Sequence, residues 1–179
     1  MNTDVRQRRG RSVSLTLRGS ALLGVAVLAL SAAYIAGWPE LLILASFCGI
    51  PPLLALAIVS RSRPRLTVAR FSSPVIVSAG TTGSAQLRLN NVASVRTVAA
   101  HWSDTIPWSP GSTRRQTLPV IDAGGSLTLQ YAFVPPRRGV VELGPLVIEI
   151  VDEFGLARGE FPVGDRQRVT VAPETVDLD

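Results

Sequence analysis

Few residues of this chain have the types that catalysis or metal binding requires, and nothing in their spacing brings them together. His101 is the single histidine and Cys48 the single cysteine. A general base needs a group that positions it, and no carboxylate is designated as a partner for His101, which we interpret as a partly buried strand residue. Cys48 lies inside an apolar run, where a small helix residue is expected. The sequence therefore predicts no catalytic residue, metal ligand or cofactor, and hence no enzyme.

The adjacent acids Asp152 and Glu153 are the next candidates for an acid-base or metal site. Neighbouring residues of a strand point to opposite faces, so the two side chains cannot easily share one ion. We expect a structural role instead. In this interpretation Asp152 bonds the backbone of a turn, Phe154 anchors the turn in the core, and Gly155 supplies a positive backbone angle.

Glycine pairs and arginine pairs could mark binding loops. No Gly-Lys-Ser/Thr follows Gly144 and Pro145 or the Gly124–Gly125 pair, which excludes a phosphate loop; tight connections between strands are expected at both places. Trp108 and the arginine pairs could contact an acidic partner or acidic headgroups, although a solvated turn is the more usual explanation for such arginines. The residues concerned are Arg114, Arg115, Arg137 and Arg138.

The basic charge is concentrated beside two long apolar runs. Residues 1–65 contain eight arginines and two acids, whereas residues 66–179 contain ten arginines and eleven acids. A nucleic-acid partner would require that charge on a folded face with polar or aromatic readers, so none is expected. The runs at 19–38 and 41–59 contain no charged residue, and about 20 apolar residues suffice for a helix to cross a bilayer.

The two runs predict a transmembrane hairpin, because only Pro39 and Glu40 separate them. Arginines before the first run and after the second predict that both termini are cytoplasmic and that the protein resides in the cell membrane. Pro51 and Pro52 predict a kink in the second helix. A cleaved signal peptide fits less well, because the first run is too long and a second follows at once. Without an ionisable residue inside either run, the hairpin is expected to be an anchor.

Beyond residue 65 the pattern changes to short runs separated by turn residues, which is typical of a sandwich or barrel. Period-two alternation is clearest at 85–90 and 126–133. About eight strands are predicted, with a polar loop at 105–119 and Trp102 as a candidate core residue. The fold class expected is a membrane α-helical hairpin followed by an all-β immunoglobulin-like sandwich. Its parts are a basic N-terminus (1–18), the hairpin (19–60), a basic linker (61–65) and the sandwich (66–179).

The stretch 137–156 reads RRGVVELGPLVIEIVDEFGL and is the most distinctive in the chain. It closely resembles a bacterial family called domain of unknown function 58, in which Arg-Gly, Leu-Gly-Pro and Asp-x-Phe-Gly-Leu occur in this order. Glu153 stands where the family often has proline, and Asp104, Ile106 and Pro107 also resemble a family feature. The matching residues are Arg138, Gly139, Leu143, Gly144, Pro145, Asp152, Phe154, Gly155 and Leu156.

The resemblance carries expectations about layout and partners. Members of that family begin with two membrane helices, continue with a β-sandwich and end with a domain related to von Willebrand factor type A, and the last part has no counterpart in this sequence. Their genes commonly lie beside those for MoxR-type AAA ATPases. The resemblance therefore implies the lipid bilayer and a MoxR-type ATPase, or another membrane protein, as partners in assembling complexes at the cell envelope.

Three hypotheses follow for function. The leading one is a non-enzymatic, membrane-anchored interaction or scaffold module that uses exposed strand edges or the 105–119 loop as contact surfaces. The second is a fragment of a longer protein, or an envelope enzyme or transport component, whose activity lies in the missing C-terminal domain or in a partner. The third places the sandwich on the outside of the cell.

Overall fold

The computed structural model describes residues 12–73, 76–108 and 115–173. It divides into two compact units. Unit 1 comprises Met1–Arg63 and Glu149–Phe161, and unit 2 comprises Pro64–Ile148 and Pro162–Asp179. The predicted domain boundary near residue 65 is therefore close to the division between the units, but a later segment of the chain also belongs with the helices.

Two apolar helices form most of unit 1. Helix α1 spans Leu17–Ala36 and α2 spans Glu40–Arg61, each within two residues of the predicted runs. The Thr16 side chain caps α1 by accepting a bond from the Gly19 N–H, and Gly37 ends it in the left-handed conformation with φ of 67°. Helix α2 continues through Pro51 and Pro52. Both helices are long and apolar enough to cross a membrane.

The helices meet along small residues. The buried positions of α1 include Ala26, Ala29 and Ala33, and those of α2 include Ala45 and Cys48. A Cβ added at Gly49 would lie 3.2 Å from the Ala26 Cβ, so the backbones approach closely there. The larger apolar side chains point outward instead, for example Leu28, Ile43 and Phe47, each more than 70 % exposed.

The described residues contain eleven strands, three more than the sequence predicts. They are β1 (Ser12–Leu15), β2 (Leu66–Ser73), β3 (Ile76–Ser78), β4 (Gly83–Asn91), β5 (Ala100–Asp104), β6 (Gln116–Leu118), β7 (Ser126–Phe133), β8 (Gly139–Leu143), β9 (Leu146–Val151), β10 (Ala157–Val163) and β11 (Gln167–Ala172). Nearly all pairings whose register is known are antiparallel; β3 runs parallel to β11.

Unit 2 is built from the pairings β2-β4-β7, β3-β11-β8 and β5-β6. Its core follows the predicted alternation, because Ala85, Leu87 and Leu89 of β4 are fully buried and Tyr131 and Phe133 of β7 lie on the buried face. The Trp102 ring of β5 lies 6.2 Å from that of Tyr131, so β5 packs on the β2-β4-β7 sheet. Trp102 is 2 % exposed, which confirms it as the core tryptophan.

Two strands lie where the sequence predicts none. β6 lies inside the predicted polar loop 105–119 and pairs with β5, where Leu118 lies opposite Ala100. β1 lies inside the predicted basic N-terminus 1–18 and pairs with β10. The loop prediction was wrong at 116–118, and β1 was not predicted, for one physical reason: three or four residues show no periodicity of their own, and their strand conformation depends on a partner distant in the chain.

Candidate functional site

The distinctive stretch ends in a turn of residues 152–156, called here the Asp152 turn, which belongs to unit 1. The Asp152 carboxylate accepts bonds from the N–H groups of Phe154 at 3.1 Å and Ala157 at 2.5 Å. The Gly155 N–H donates to the Asp152 carbonyl at 2.9 Å, and Gly155 has φ of 67°. The predicted roles of Asp152 and Gly155 are confirmed, and the turn joins β9 to β10.

The Asp152 turn is bound to the start of α1. The Thr16 N–H donates to the Leu156 carbonyl at 2.8 Å, and the Thr16 hydroxyl donates to the Gly155 carbonyl at 2.5 Å. Gly19, in the first turn of α1, lies so close that an added Cβ would be 2.1 Å from the Leu156 carbonyl oxygen. Only glycine fits there, because the backbone of the turn lies directly against the backbone of the helix.

Strand pairing and an apolar cluster extend this attachment within unit 1. β1 pairs with β10 along its whole length, with Ser12 opposite Glu160 at one end and Leu15 opposite Ala157 at the other. A Cβ on Gly159 would lie 2.8 Å from the Val59 side chain and 2.7 Å from the Phe161 ring. The buried cluster at the base of the helices consists of Ala55, Val59, Leu156 and Ala157, with Val13, Leu15, Leu22 and Leu56 packed around it.

The structure corrects the prediction for Phe154. Its side chain is 77 % exposed and does not anchor the turn in a core. Leu156 does so, being 6 % exposed within the apolar cluster. The reason is that the Thr16 bonds hold the Leu156 and Gly155 carbonyls against α1, which turns Leu156 inward; both residues are apolar, so composition could not distinguish them.

A second cluster lies in unit 2 and is buried. Arg70 Nη2 donates to Asp104 Oδ1 at 2.9 Å, and the Tyr131 hydroxyl donates to Asp104 Oδ2. Asp104 Oδ1 also accepts a bond from the Thr105 N–H at 3.0 Å. The side chains of Arg70 and Asp104 are 5 % and 0 % exposed. Burial, followed by the adjacent Asp104 charge and hydrogen bond, raises the pKa of Tyr131 well above its ordinary value, and Arg70 opposes this.

The Leu-Gly-Pro sequence abuts this cluster. Gly144 has φ of 93°, and a Cβ there would lie 2.6 Å from Arg70 Nη2. Its N–H donates to the Thr105 carbonyl at 2.9 Å, while Leu143 is fully buried. Gly144 and Pro145 form the tight β8–β9 connection that the sequence predicts. Glycine is favoured here because the φ angle is positive, and the Arg70 guanidinium fills the space beside it.

Arg70 retains unused donors. Neither its Nε nor its Nη1 has a hydrogen-bond partner, and the same holds for the buried Gln167 Oε1. Arg70 and Gln167 line a cleft of about 600 Å³, whose rim includes Arg166 and Arg168. Both rim arginines contact Glu142, at 3.5 and 3.4 Å.

Sequence reasoning missed Arg70 and Tyr131 as members of a cluster. One signal was present: Arg70 falls on the same face of β2 as Leu66 and Val68, and a charged residue on an inward face requires a partner. Asp104 was noted through the family resemblance alone. Its position at the end of β5 gives no indication of which residues it meets.

The remaining predicted residues occupy different surroundings. Trp108 is half-buried, with its ring 6.1 Å from that of Phe133, and is therefore partly used in packing. Arg115 and Arg138 are exposed, and Gly139 opens β8 with φ of 140°. Arg114 lies outside the described residues. His101 is half-buried on β5, as expected, and Asp152 and Glu153 lie at a turn, as the structural interpretation predicts.

Among the described residues no group of three or more His, Cys, Asp or Glu side chains could hold a metal ion. Within that same part of the chain, the buried carboxylate Asp104 is engaged by neighbouring side chains. The arrangement of both clusters can fix segments of the chain to one another, and neither presents an accessible nucleophile beside a base.

Comparison with known proteins finds resemblance only at the level of solved structures. No family model and no curated protein matches the chain. The CARDB domain of a Pyrococcus furiosus protein, crystallised in complex with di-metal ions, is 13 % identical over 63 % of this chain and 97 % of that one, with a TM-score of 0.46. Spo0M, a sporulation control protein of Bacillus subtilis, is 12 % identical over 61 % and 50 % of the two chains, with a TM-score of 0.34. Values this low assign neither ligand nor activity.

Proposed function

We propose that the chain is a membrane-anchored, non-enzymatic interaction or scaffold module of the domain of unknown function 58 type. In this proposal an immunoglobulin-like β-sandwich is held at the cytoplasmic membrane surface by a transmembrane hairpin. The observation that carries the proposal is the backbone-level attachment of the β9–β10 connection to the first turn of α1. Because β9 and β10 are joined by a turn that is hydrogen-bonded to the start of α1, the hairpin would hold a folded domain close to the bilayer.

The surface of the hairpin supports the membrane assignment. Leu28, Ile43 and Phe47 are each more than 70 % exposed, and only 22 % of either apolar helix segment is buried within the protein. Exposed apolar surface of this extent is unfavourable in water and is covered in a bilayer. Small residues at the helix–helix contact, with large apolar residues outside, are the arrangement expected of membrane helices.

Charges at the two ends of the hairpin support its orientation. Arg18 is the second residue of α1, Arg61 is the last residue of α2 and Arg63 follows it, so this end of the hairpin carries arginines. The other end carries Glu40. Because arginine is enriched on the cytoplasmic side, both termini are assigned to the cytoplasm of the proposed multi-pass cell-membrane protein.

The proposed partner is a MoxR-type AAA ATPase or another membrane protein, as the family resemblance implies. Exposed apolar side chains on unit 2 provide candidate contacts, including Phe71 on β2, Val92, Val95 and Val140, which are 58–67 % exposed. The buried Arg70–Asp104–Tyr131 cluster supports a structural role over catalysis, since each of its named bonds is internal to the fold.

Site-specific photo-crosslinking in intact cells tests this proposal. A photoreactive amino acid at Phe71 or Val140 is expected to capture one specific protein, and deletion of a neighbouring ATPase gene identifies whether that protein is the ATPase. The matched control places the same group at the buried Leu87, where capture should be lost. Alkaline carbonate extraction should leave the chain in the membrane. Release by carbonate, or no capture above the Leu87 background, would overturn the proposal.

A further inference from the structure

Phe154 combines features that its role in the turn does not explain. The residue is an aromatic side chain held 77 % exposed at the tip of the Asp152 turn. Hydrogen bonds within the turn and from Thr16 order it, so the exposure does not result from a loose segment. A fixed, exposed aromatic ring next to a helix of membrane-spanning length is available for contact with another surface.

We propose that the Asp152 turn is a bilayer contact, in which Phe154 inserts among the lipid headgroups and Arg18 binds their phosphates on an anionic membrane. This inference rests on the proposed membrane insertion of the hairpin and adds a second, peripheral attachment to it. The occupant of the exposed surface is the lipid interface, and a protein partner is the alternative outcome of the test.

The depth of the turn follows from its contacts with α1. The Leu156 carbonyl lies against Gly19, two residues into a helix that begins at Leu17, which is 87 % exposed. Phe154 precedes Leu156 by two residues, so its Cα lies within about 7 Å of the Leu156 Cα. The headgroup layer on each side of a bilayer is roughly 5–7 Å thick, which is half the difference between the thickness of the whole bilayer and that of its hydrocarbon core. Phe154 therefore lies within reach of this layer if α1 spans the membrane.

The charge around the turn fits an anionic surface. The Arg18 guanidinium approaches Gly155, since a Cβ there would lie 4.0 Å from Arg18 Nη1. Arg61 and Arg63 lie at the matching end of α2, and each cation near an anionic leaflet is attracted to it. Glu153, also exposed, opposes this attraction. The arginines at this end outnumber it, so anionic lipid should strengthen the contact.

The first experiment measures depth with the full chain in vesicles of zwitterionic lipid containing about one quarter anionic lipid. Phe154→Trp is made in a Trp38→Phe, Trp108→Phe background, and its emission is compared with that background alone. We expect a blue shift and quenching by lipids brominated near the headgroup, with less quenching by lipids brominated deep in the chain. Zwitterionic vesicles should reduce the quenching, and Arg18→Gln should weaken that lipid dependence, since Arg61 and Arg63 remain.

A variant in the hairpin distinguishes failure of the turn contact from failure of the membrane anchor. Leu28→Trp in the same background should be quenched by deeply brominated lipid, because it lies within α1. If Leu28→Trp is quenched and Phe154→Trp emits as in water, the turn contact is wrong and the anchor stands. If neither is quenched, the membrane anchor itself is wrong.

A photoreactive phenylalanine at position 154 in intact cells identifies the occupant directly. The expected product is a lipid adduct of the chain. A covalent adduct with another protein in place of lipid would overturn the inference and make Phe154 a protein contact. Phe154→Ser should leave the protease resistance of the folded chain unchanged in detergent, since the ring contributes no core contact.

Discussion

Asp104 joins residues that are far apart in the sequence. Its carboxylate binds Arg70 of β2 and Tyr131 of β7, and its neighbour Thr105 accepts the Gly144 N–H. A buried carboxylate is stable only when its oxygens are occupied, because transfer of a charge out of water is costly. The cluster therefore holds β5 in a defined position against its neighbours and specifies the packing of unit 2.

Removal of the Asp104 charge should destabilise unit 2 strongly. Asp104→Asn leaves Arg70 buried without a counter-ion, so the free energy of unfolding should fall by about 3–5 kcal/mol. Urea denaturation of the full chain in detergent, followed by tryptophan fluorescence in a Trp38→Phe background, measures it. Glu142→Gln is the control, because its contacts with Arg166 and Arg168 are exposed and should contribute about 0–1 kcal/mol. Equal losses for the two variants would contradict the role of Asp104.

Tyr131 should make stability depend on alkaline pH. Its pKa is raised in the folded protein, so the unfolded chain loses the tyrosine proton first as the pH passes about 10. The stabilisation is complete below that pH and decreases as the pH rises towards the folded pKa, by up to about 1.4 kcal/mol per pH unit. Urea denaturation at pH 9 to 11 should show this decrease, and Tyr131→Phe should remove it. Tyr34→Phe, which changes the only other tyrosine, should retain it.

At the scale of elements, the start of α1 is defined by what it contacts. Thr16 caps the helix and also binds the Asp152 turn, and β1 immediately before it pairs with β10. A chain segment of only four residues is thereby ordered by a strand more than 140 positions away. As a consequence, α1 is attached directly to the Asp152 turn through Thr16, and to β10 through β1.

Two glycines of α1 provide a matched test of that attachment. Gly19→Ala would place a methyl group 2.1 Å from the Leu156 carbonyl oxygen, whereas Gly24→Ala meets nothing within 4 Å. Gly19→Ala should therefore release the turn and increase proteolytic cleavage near residues 152–156 in the purified chain. Gly24→Ala should be neutral or slightly stabilising, since alanine favours helix. Similar cleavage rates for the two variants would show that the close approach is absent in solution.

At the scale of the molecule, the proposed topology places the domain after α2 on the same side as the N-terminus. The hairpin has arginines at one end and the Pro39–Glu40 link at the other. The kink predicted at Pro51 and Pro52 stays a prediction, and the uninterrupted α2 is compatible with a bent helix. Orientation in the membrane then decides which partners the domain can meet.

Cysteine labelling in a Cys48→Ser background should reveal this topology. A cysteine at the exposed Val92 should react with an impermeant maleimide only after cells are lysed, because the domain is assigned to the cytoplasm. Pro39→Cys, in the link between the helices, is the matched control and should react in intact cells. The reverse pattern would place the domain outside the cytoplasm and exclude a cytoplasmic ATPase as its direct partner.

Local patterns alone predicted the two helices and the strands β4 and β7. Uninterrupted apolar runs of about 20 residues and a clean alternation, as at Ala85, Leu87 and Leu89, are properties of neighbouring residues, so no distant partner is needed to recognise them. The turn roles of Asp152 and Gly155 were predictable for the same reason, because the side-chain bonds span only a few residues.

Tertiary structure alone decided the features that join distant segments. β1 and β6 are strands because β10 and β5 offer them free backbone groups, and a three- or four-residue segment carries no signal of that. The choice between Phe154 and Leu156 as the buried residue depended on bonds from Thr16, 140 residues earlier than Leu156. The association of Arg70 with Asp104 and Tyr131 likewise required three strands to be packed first, since periodicity shows which face a side chain occupies and not which side chain it meets.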